Sequence, residues 1–355
     1  MLFLLRKVAK HPNIQLVDKP GERKFHEGSV PLVGGISICM SIIYFLYNHP
    51  GVLPHVNLYS FSILVLVTIG AIDDKYDISF KFRMVVQAGL ALVMIIFAGE
   101  QLTDLGNMFG FGAVSMPDYF AKVVTIFAVL GAINAFNMVD GIDGLLGGLA
   151  SVTFAGLGLL FAMNGMDDYA YLCVVFIVVI LPYILLNLGA FGRTRKVFMG
   201  DAGSMLIGFT VIFLLIAATQ PLDSTEVMRP VTALWLIAVP LNDMVAIMYR
   251  RVRKGKSPFK PDREHLHHIC QRIGLNSTQT LLAICGISLA CASFGILGEL
   301  LDVPEAVMFY LFIAFFIAYA VLLSYIWRVV KKIRSYKRFI RLSKHCRVKR
   351  RLRSS

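Results

Sequence analysis

The chain has 355 residues, of which 57% are apolar and 16% charged, with a mean hydropathy of +0.70. Soluble domains run at about 45–50% apolar and about 25% charged, so a soluble fold is excluded. A net charge of +13 invites a nucleic-acid reading, but the basic residues alternate with apolar stretches of membrane-spanning length, and nucleic acid is not an expected partner.

In chain order, Met1 to Leu5 is an apolar scrap stopped by Arg6, Lys7 and Lys10. It is too short for a span or a secretory signal and reads as the last turn of a helix. Ten apolar windows follow, near 30–47, 56–72, 83–99, 119–136, 144–163, 169–188, 203–220, 230–249, 278–298 and 305–327, each close to the roughly 17–25 residues that cross a bilayer. Every Lys and Arg except Lys122 and Arg229 lies at the two ends or in alternate connectors, which places both ends in the cytoplasm. The expected fold is therefore a single all-α polytopic membrane domain over residues 1–355. Its tail, 328–355, carries 13 basic residues and no acid and reads as a cytoplasmic segment lying on anionic lipid. Cys39, Cys173, Cys285 and Cys291 fall inside the apolar windows and no CxxC occurs, so the cysteines read as small core residues.

Three windows end, on the side assigned to the cytoplasm, in acidic motifs. The second runs into Asp73-Asp74-Lys75-Tyr76-Asp77, the fourth into Asn134-Ala135-Phe136-Asn137-Met138-Val139-Asp140-Gly141-Ile142-Asp143-Gly144, and the sixth is followed by Gly200-Asp201-Ala202-Gly203-Ser204. A helix continuing through 77 would put Asp73, Asp74 and Asp77 within an arc of about 100°. Gly141 and Gly144 predict a break that lets the polar groups of the second motif converge. Taken singly, each acid reads equally well as an interfacial loop residue or a helix cap. Massed on one face they repel, and a hard divalent cation such as Mg²⁺, which shares its coordination sphere with water and phosphate, is their natural partner.

The connector from 249 to 277 supplies the opposite charge, with Arg250, Arg251, Arg253, Lys254, Lys256, Lys260 and Arg263 ahead of His265, His267 and His268. Such a loop attracts polyanions. The histidines read as phosphate-binding or proton-handling groups in preference to zinc ligands, because no further Cys/His pair stands at zinc spacing. Asp243, inside the eighth window, reads either as a functional intramembrane acid or as a group that satisfies backbone freed by Pro240.

With these motifs in order (Asp73 to Asp77, Asn134 to Leu145, Lys196 to Ser204 and Pro261 to His268), together with Leu16 to Pro20 and Pro31 to Gly35, nearly the whole chain resembles the polyprenyl-phosphate N-acetylhexosamine-1-phosphate transferases. The resemblance implies transfer of N-acetylglucosamine 1-phosphate from UDP-N-acetylglucosamine to undecaprenyl phosphate in a bacterial inner membrane, with release of UMP, at the start of O-antigen or enterobacterial common antigen synthesis. It implies Mg²⁺, or Mn²⁺ in its place. It makes Asp73 and Asp74 the catalytic pair and puts Asp201, with Asp74, at the metal. Asp77, Asn137, Asp140, Asp143, Asn187, Arg263, His265, His267 and His268 then fall to the substrates. It also implies eleven spans and a homodimer, so that an apolar stretch of about 20 residues is expected before Arg6. The alternatives are a relative using another donor, such as UDP-N-acetylmuramyl-pentapeptide, and, more distantly, a transporter, which would hold its acids near span centres.

Overall fold

The computed structural model describes residues 1–18, 28–220, 226–258 and 265–325. Arg263 and the basic tail lie outside the described residues. The protein is an all-α multi-pass membrane protein; among the described residues the only sheet is a two-residue antiparallel pair, β1 (Val17–Asp18) with β2 (Val30–Pro31).

After a short helix α1 (Leu2–Ala9), the helices are α2 (Gly34–Asn48), α3 (Val56–Tyr76), α4 (Phe80–Val93), α5 (Asp118–Val139), α6 (Leu145–Met163), α7 (Asp167–Asn187), α8 (Gly200–Thr219), α9 (Pro230–Leu236), α10 (Ala238–Arg253), α11 (Leu266–Ile273), α12 (Ser277–Leu300) and α13 (Glu305–Tyr325). A further turn, Met94–Ala98, lengthens α4 to a spanning segment. All ten apolar windows coincide with helical segments, but they are not ten equal spans. Among the described residues eight helices are long and apolar enough to cross a bilayer. The window at 230–249 is instead two helices, α9 and α10, bent by 81°. Pro240 explains the break: it has no N–H to give to Leu236, and its ring crowds that carbonyl, so α9 stops at Leu236. The first window, α2, has 15 residues, about 22 Å of helix at 1.5 Å per residue, short of a hydrocarbon core of about 30 Å.

The centre of the molecule is α8, in which almost every residue is buried. In lipid no hydrophobic force drives helices together, so close approach depends on small residues. A Cβ on Gly35 of α2 would stand 2.1 Å from the Gly203 nitrogen, one on Gly70 of α3 would stand 2.4 Å from Cα of Ala202, and one on Gly208 would stand 2.6 Å from Cα of Ile133 in α5. Three helices are thereby pressed against α8. Deeper in the bundle the Tyr59 hydroxyl pairs with Thr210 Oγ1 at 2.7 Å, which satisfies two polar groups that have no water to turn to.

The chain entering α2 fixes the segment entering α8. Phe198 N donates to Pro31 O at 2.9 Å, and the amides of Gly34 and Gly35 donate to the carbonyls of Phe198 and Met199 at 3.0 Å. On the other flank α13 closes against α9, α10 and α11, with Met308 and Phe312 packed on Trp235, and Tyr319 and Leu323 among Ala246, Ile247 and Ile269.

Candidate active site

The C-terminal ends of α3 and α5 meet the N-terminus of α8. Gly200 takes a left-handed conformation (φ +74°) and opens α8. The first amides of a helix are unpaired donors carrying partial positive charge, and here they are met by a carboxylate from another helix. Asp74 accepts from Asp201 N at 2.9 Å and from Ala202 N at 3.5 Å. A Cβ at Gly200 would stand 2.3 Å from Asp74 Oδ2, so this approach requires glycine.

Asp73, one residue earlier and buried, accepts from Arg83 Nη1 at 2.5 Å. The same nitrogen donates to Asp201 Oδ2 at 2.9 Å, while Asp201 Oδ1 accepts from Asn137 Nδ2 at 2.7 Å, and that amide also reaches Ser204 Oγ at 2.8 Å. Two like charges about 4 Å apart cost roughly 4 kcal/mol at an effective dielectric near 20. Arg83 is the cation that lets Asp73 and Asp201 share this corner. Sequence reasoning missed it: Arg83 read only as one of the cytoplasmic basic residues, although its place in the first turn of the helix after Asp73-Asp74 was the available signal.

Asp77 does not join this group along a common helical arc. The helix ends at Tyr76, and Asp77 is its exposed, left-handed cap (φ 51°). The second motif breaks as its glycines predict: α5 stops at Val139, Asp140 caps it, and Gly144 (φ +79°) starts α6. Asp143 forms an ion pair with Lys196, and Asn187 lies behind the same loop, accepting from Gly144 N at 2.5 Å and donating to Val197 O at 2.9 Å. Asn187 is buried with both ends of its amide engaged, so it shapes the loop from below. Asp140 is reached by solvent, yet the protein packed around it, with the charges of Asp201 and Asp143, pushes its carboxyl up to about 7.

The histidine segment comes to this loop from the far side of the sequence. A Cβ on Gly141 would stand 2.1 Å from His267 Nε2, so the ring lies directly against the backbone between Asp140 and Asp143. Burial, reinforced by His268 and His265, lowers the His267 pKa to about 3, and the ring is neutral. Its Nε2 is buried without a hydrogen-bond partner, an unmet polar atom facing the acidic loop. His265 stacks parallel to it at 5.8 Å and His268 follows at 4.2 Å. Among the described residues no three His, Cys, Asp or Glu side chains form a closed metal-binding set.

The sequence comparisons agree with this geometry. Residues 56–219, which span α3 to α8, match glycosyl transferase family 4. The undecaprenyl-phosphate alpha-N-acetylglucosaminyl 1-phosphate transferase of Escherichia coli K12 is 49% identical over 341 residues, covering 96% of this chain and 92% of the relative. Proteins of the same description from Salmonella typhimurium and Haemophilus influenzae are 50% and 48% identical, over 96% and 95% of this chain and 92% and 94% of their own lengths. The chain belongs to this family of polyprenyl-phosphate glycosyl-1-phosphate transferases. A transferase of this family needs polar groups at a membrane interface, and it is the ends of α3, α5 and α8, not their centres, that carry the acids. That arrangement disfavours the transporter alternative.

Proposed function

We propose that the protein transfers N-acetylglucosamine 1-phosphate from UDP-N-acetylglucosamine to undecaprenyl phosphate at the cytoplasmic face of a bacterial inner membrane, releasing UMP, as the first membrane step of O-antigen or enterobacterial common antigen synthesis. The observation that carries this reading is the meeting of Asp73, Asp74, Asn137 and Asp201 at one end of the central helix, in a chain 49% identical to a transferase of that description.

In this reaction an oxygen of the acceptor phosphate attacks the phosphorus that bears the sugar. The bond from that phosphorus to the bridging oxygen breaks, and UMP leaves with the electron pair. The sugar C1–O bond is untouched, so the anomeric configuration is retained. Both reactants are anions, and the main task of the site is to cancel charge and align them. Arg83, anchored by Asp73 and Asp201, brings fixed positive charge to the acidic corner. Lys196 does the same beside Asp143. Neutral His267 offers hydrogen bonding next to the Asp140–Asp143 loop without altering the charge balance.

The residues fit a Mg²⁺ ion, with Mn²⁺ as its substitute. The donors are hard oxygens, the Asp201 side chain is 35% exposed, and each Asp74 oxygen accepts one backbone amide and keeps another lone pair. One or two carboxylates suffice for Mg²⁺, which takes its other ligands from water and phosphate. Asp201, with Asp74 beside it, would hold the ion, which when bound neutralises charge on the diphosphate.

The test supplies membranes containing the protein with undecaprenyl phosphate, Mg²⁺ and, separately, labelled UDP-N-acetylglucosamine or UDP-N-acetylmuramyl-pentapeptide. Label should enter lipid from the first donor only, with release of UMP. Labelling from the muramyl donor alone would move the protein to the other branch, and release of UDP would reject phosphosugar transfer.

A further inference from the structure

Asp243 lies in α10 and is 2% exposed. Its carboxylate receives three donors: His265 Nδ1–H on Oδ2 at 2.8 Å, and on Oδ1 the Leu266 backbone N–H at 3.1 Å and the Tyr319 hydroxyl at 2.6 Å. Tyr319 belongs to α13 and is itself buried. Three elements, α10, the start of α11 and α13, therefore meet on one acid. They do not need it as glue, because Ala246, Ile247, Ile269 and Leu323 already join the same three through apolar packing. A buried carboxylate is costly to desolvate, and an apolar substitute often holds a fold as well or better. What the carboxylate adds is direction. By accepting from Nδ1 it fixes the proton there, sets the ring plane of His265 and presents Nε2 on the other side. The His265 ring is parallel to His267 within 5°, and His267 rests on Gly141 between Asp140 and Asp143.

We propose that Asp243 and Tyr319 are a positioning pair: together they lock the tautomer and orientation of His265 and the first turn of α11, and so hold the histidine segment in register with the Asp140–Asp143 loop where the donor diphosphate binds. The inference rests on the proposed donor chemistry. Neither residue touches substrate; both act through His265. Tyr319 makes α13 part of the site's support.

The experiment uses the full-length protein in detergent and two variants, Asp243→Asn and Tyr319→Phe, each alone and in a His265→Ala background. Tyr319→Phe removes one hydroxyl and keeps the ring, so its thermal midpoint should stay within about 2 °C of wild type. Its kcat should fall about five- to tenfold with KM for UDP-N-acetylglucosamine changed less than about twofold, the pattern of lost alignment. Asp243→Asn should lose about thirtyfold or more. In His265→Ala, adding Tyr319→Phe should cost no more than about twofold, because residues that act through one another are non-additive. If the two losses multiply in full, Tyr319 does not act through His265 and the proposal fails. A second readout needs no substrate: in protein carrying ¹⁵N-histidine, the His265 resonances should report the Nδ1–H tautomer and shift in both variants. Unchanged His265 resonances would overturn the pair even if activity fell. A wild-type protein inert towards UDP-N-acetylglucosamine would instead reject the donor assignment, and the resonances would still decide the pair.

Discussion

Two polar clusters stand at opposite ends of this helical bundle. At the end away from the acidic motifs, Arg229 donates to Glu299 at 3.1 Å, to Asp302 at 3.3 Å and to the carbonyls of Val303 and Gly298 at 2.8 and 3.0 Å, while Thr232 also bonds Glu299. Nearby, Gln220 accepts from the amides of Thr103 and Asp104 and donates to the carbonyls of Asp104 and Thr219. These contacts form a joint that pins α9 and the loop before α5, with Glu305 beside it carrying a buried oxygen that has no partner. At the other end five aspartates (73, 74, 140, 143 and 201) gather around two cations, Arg83 paired with Asp73 and Asp201, and Lys196 paired with Asp143. Charge there is left over, one carboxyl is pushed up to about 7, and an imidazole nitrogen is buried unmet. The first cluster joins one helix to a loop and another helix; the second leaves an acidic corner at the end of the central helix, of a kind that suits a cation and a polyanion.

Removing charge from the unbalanced end should give the largest effect. Asp201→Asn keeps the shape and loses a charged oxygen, so turnover should fall at least about tenfold and the Mg²⁺ concentration for half-maximal rate should rise. A variant as active as wild type at low Mg²⁺ would contradict the metal assignment. Arg83→Lys keeps the charge but replaces a planar fork with a point charge, which cannot bridge Asp73 and Asp201 in the same way. Its turnover should drop about tenfold, and added Mg²⁺ should not restore it.

Gly35→Ala probes what the two ends share, the central helix. Its Cβ would strike the Gly203 backbone, and overpacking of this kind costs about 1–3 kcal/mol, read as a lower thermal midpoint in detergent with the site intact in the folded fraction. Arg229→Ala sharpens the contrast directly. It removes the cation paired with Glu299 and should cost a similar amount of stability, while turnover of the folded protein stays within about twofold; a large loss of kcat would show that the two ends are coupled.

A last expectation is a slope with pH. His267 titrates near 6.5 in an unfolded chain and near 3 in the folded protein. Its contribution to stability is thus complete above pH 6.5 and drains away as pH falls from there towards 3. Replacing it with Gln should flatten stability between those values, measured by thermal unfolding across pH.

How much of this was legible beforehand differs between fold and site. Each apolar window became helix, since desolvating an unpaired peptide group in lipid costs so much that a long apolar run can hardly do anything else. Window length gave no warning that α9 and α10 would part by 81°, although Pro240 marked the place. The acids of the three motifs were legible as a group because charges near a bilayer are scarce and their positions carry information. Asp77 falls outside the expected helical arc because α3 ends one residue before it. Arg83 was missed because a lone arginine beside a membrane has an ordinary explanation.

By itself, then, the sequence determined the membrane class, the helical segments, the end of the bundle where the acidic motifs gather and most of the residues that meet there, because hydropathy and charge are properties of short stretches. Only the tertiary structure decided which acid caps α8, which is tied to Arg83, that His267 rests on Gly141 and that Tyr319 reaches Asp243 across 76 residues. Those are contacts between segments remote in the chain. Their geometry is set by how closely glycine lets helices approach and by which buried groups remain to be satisfied.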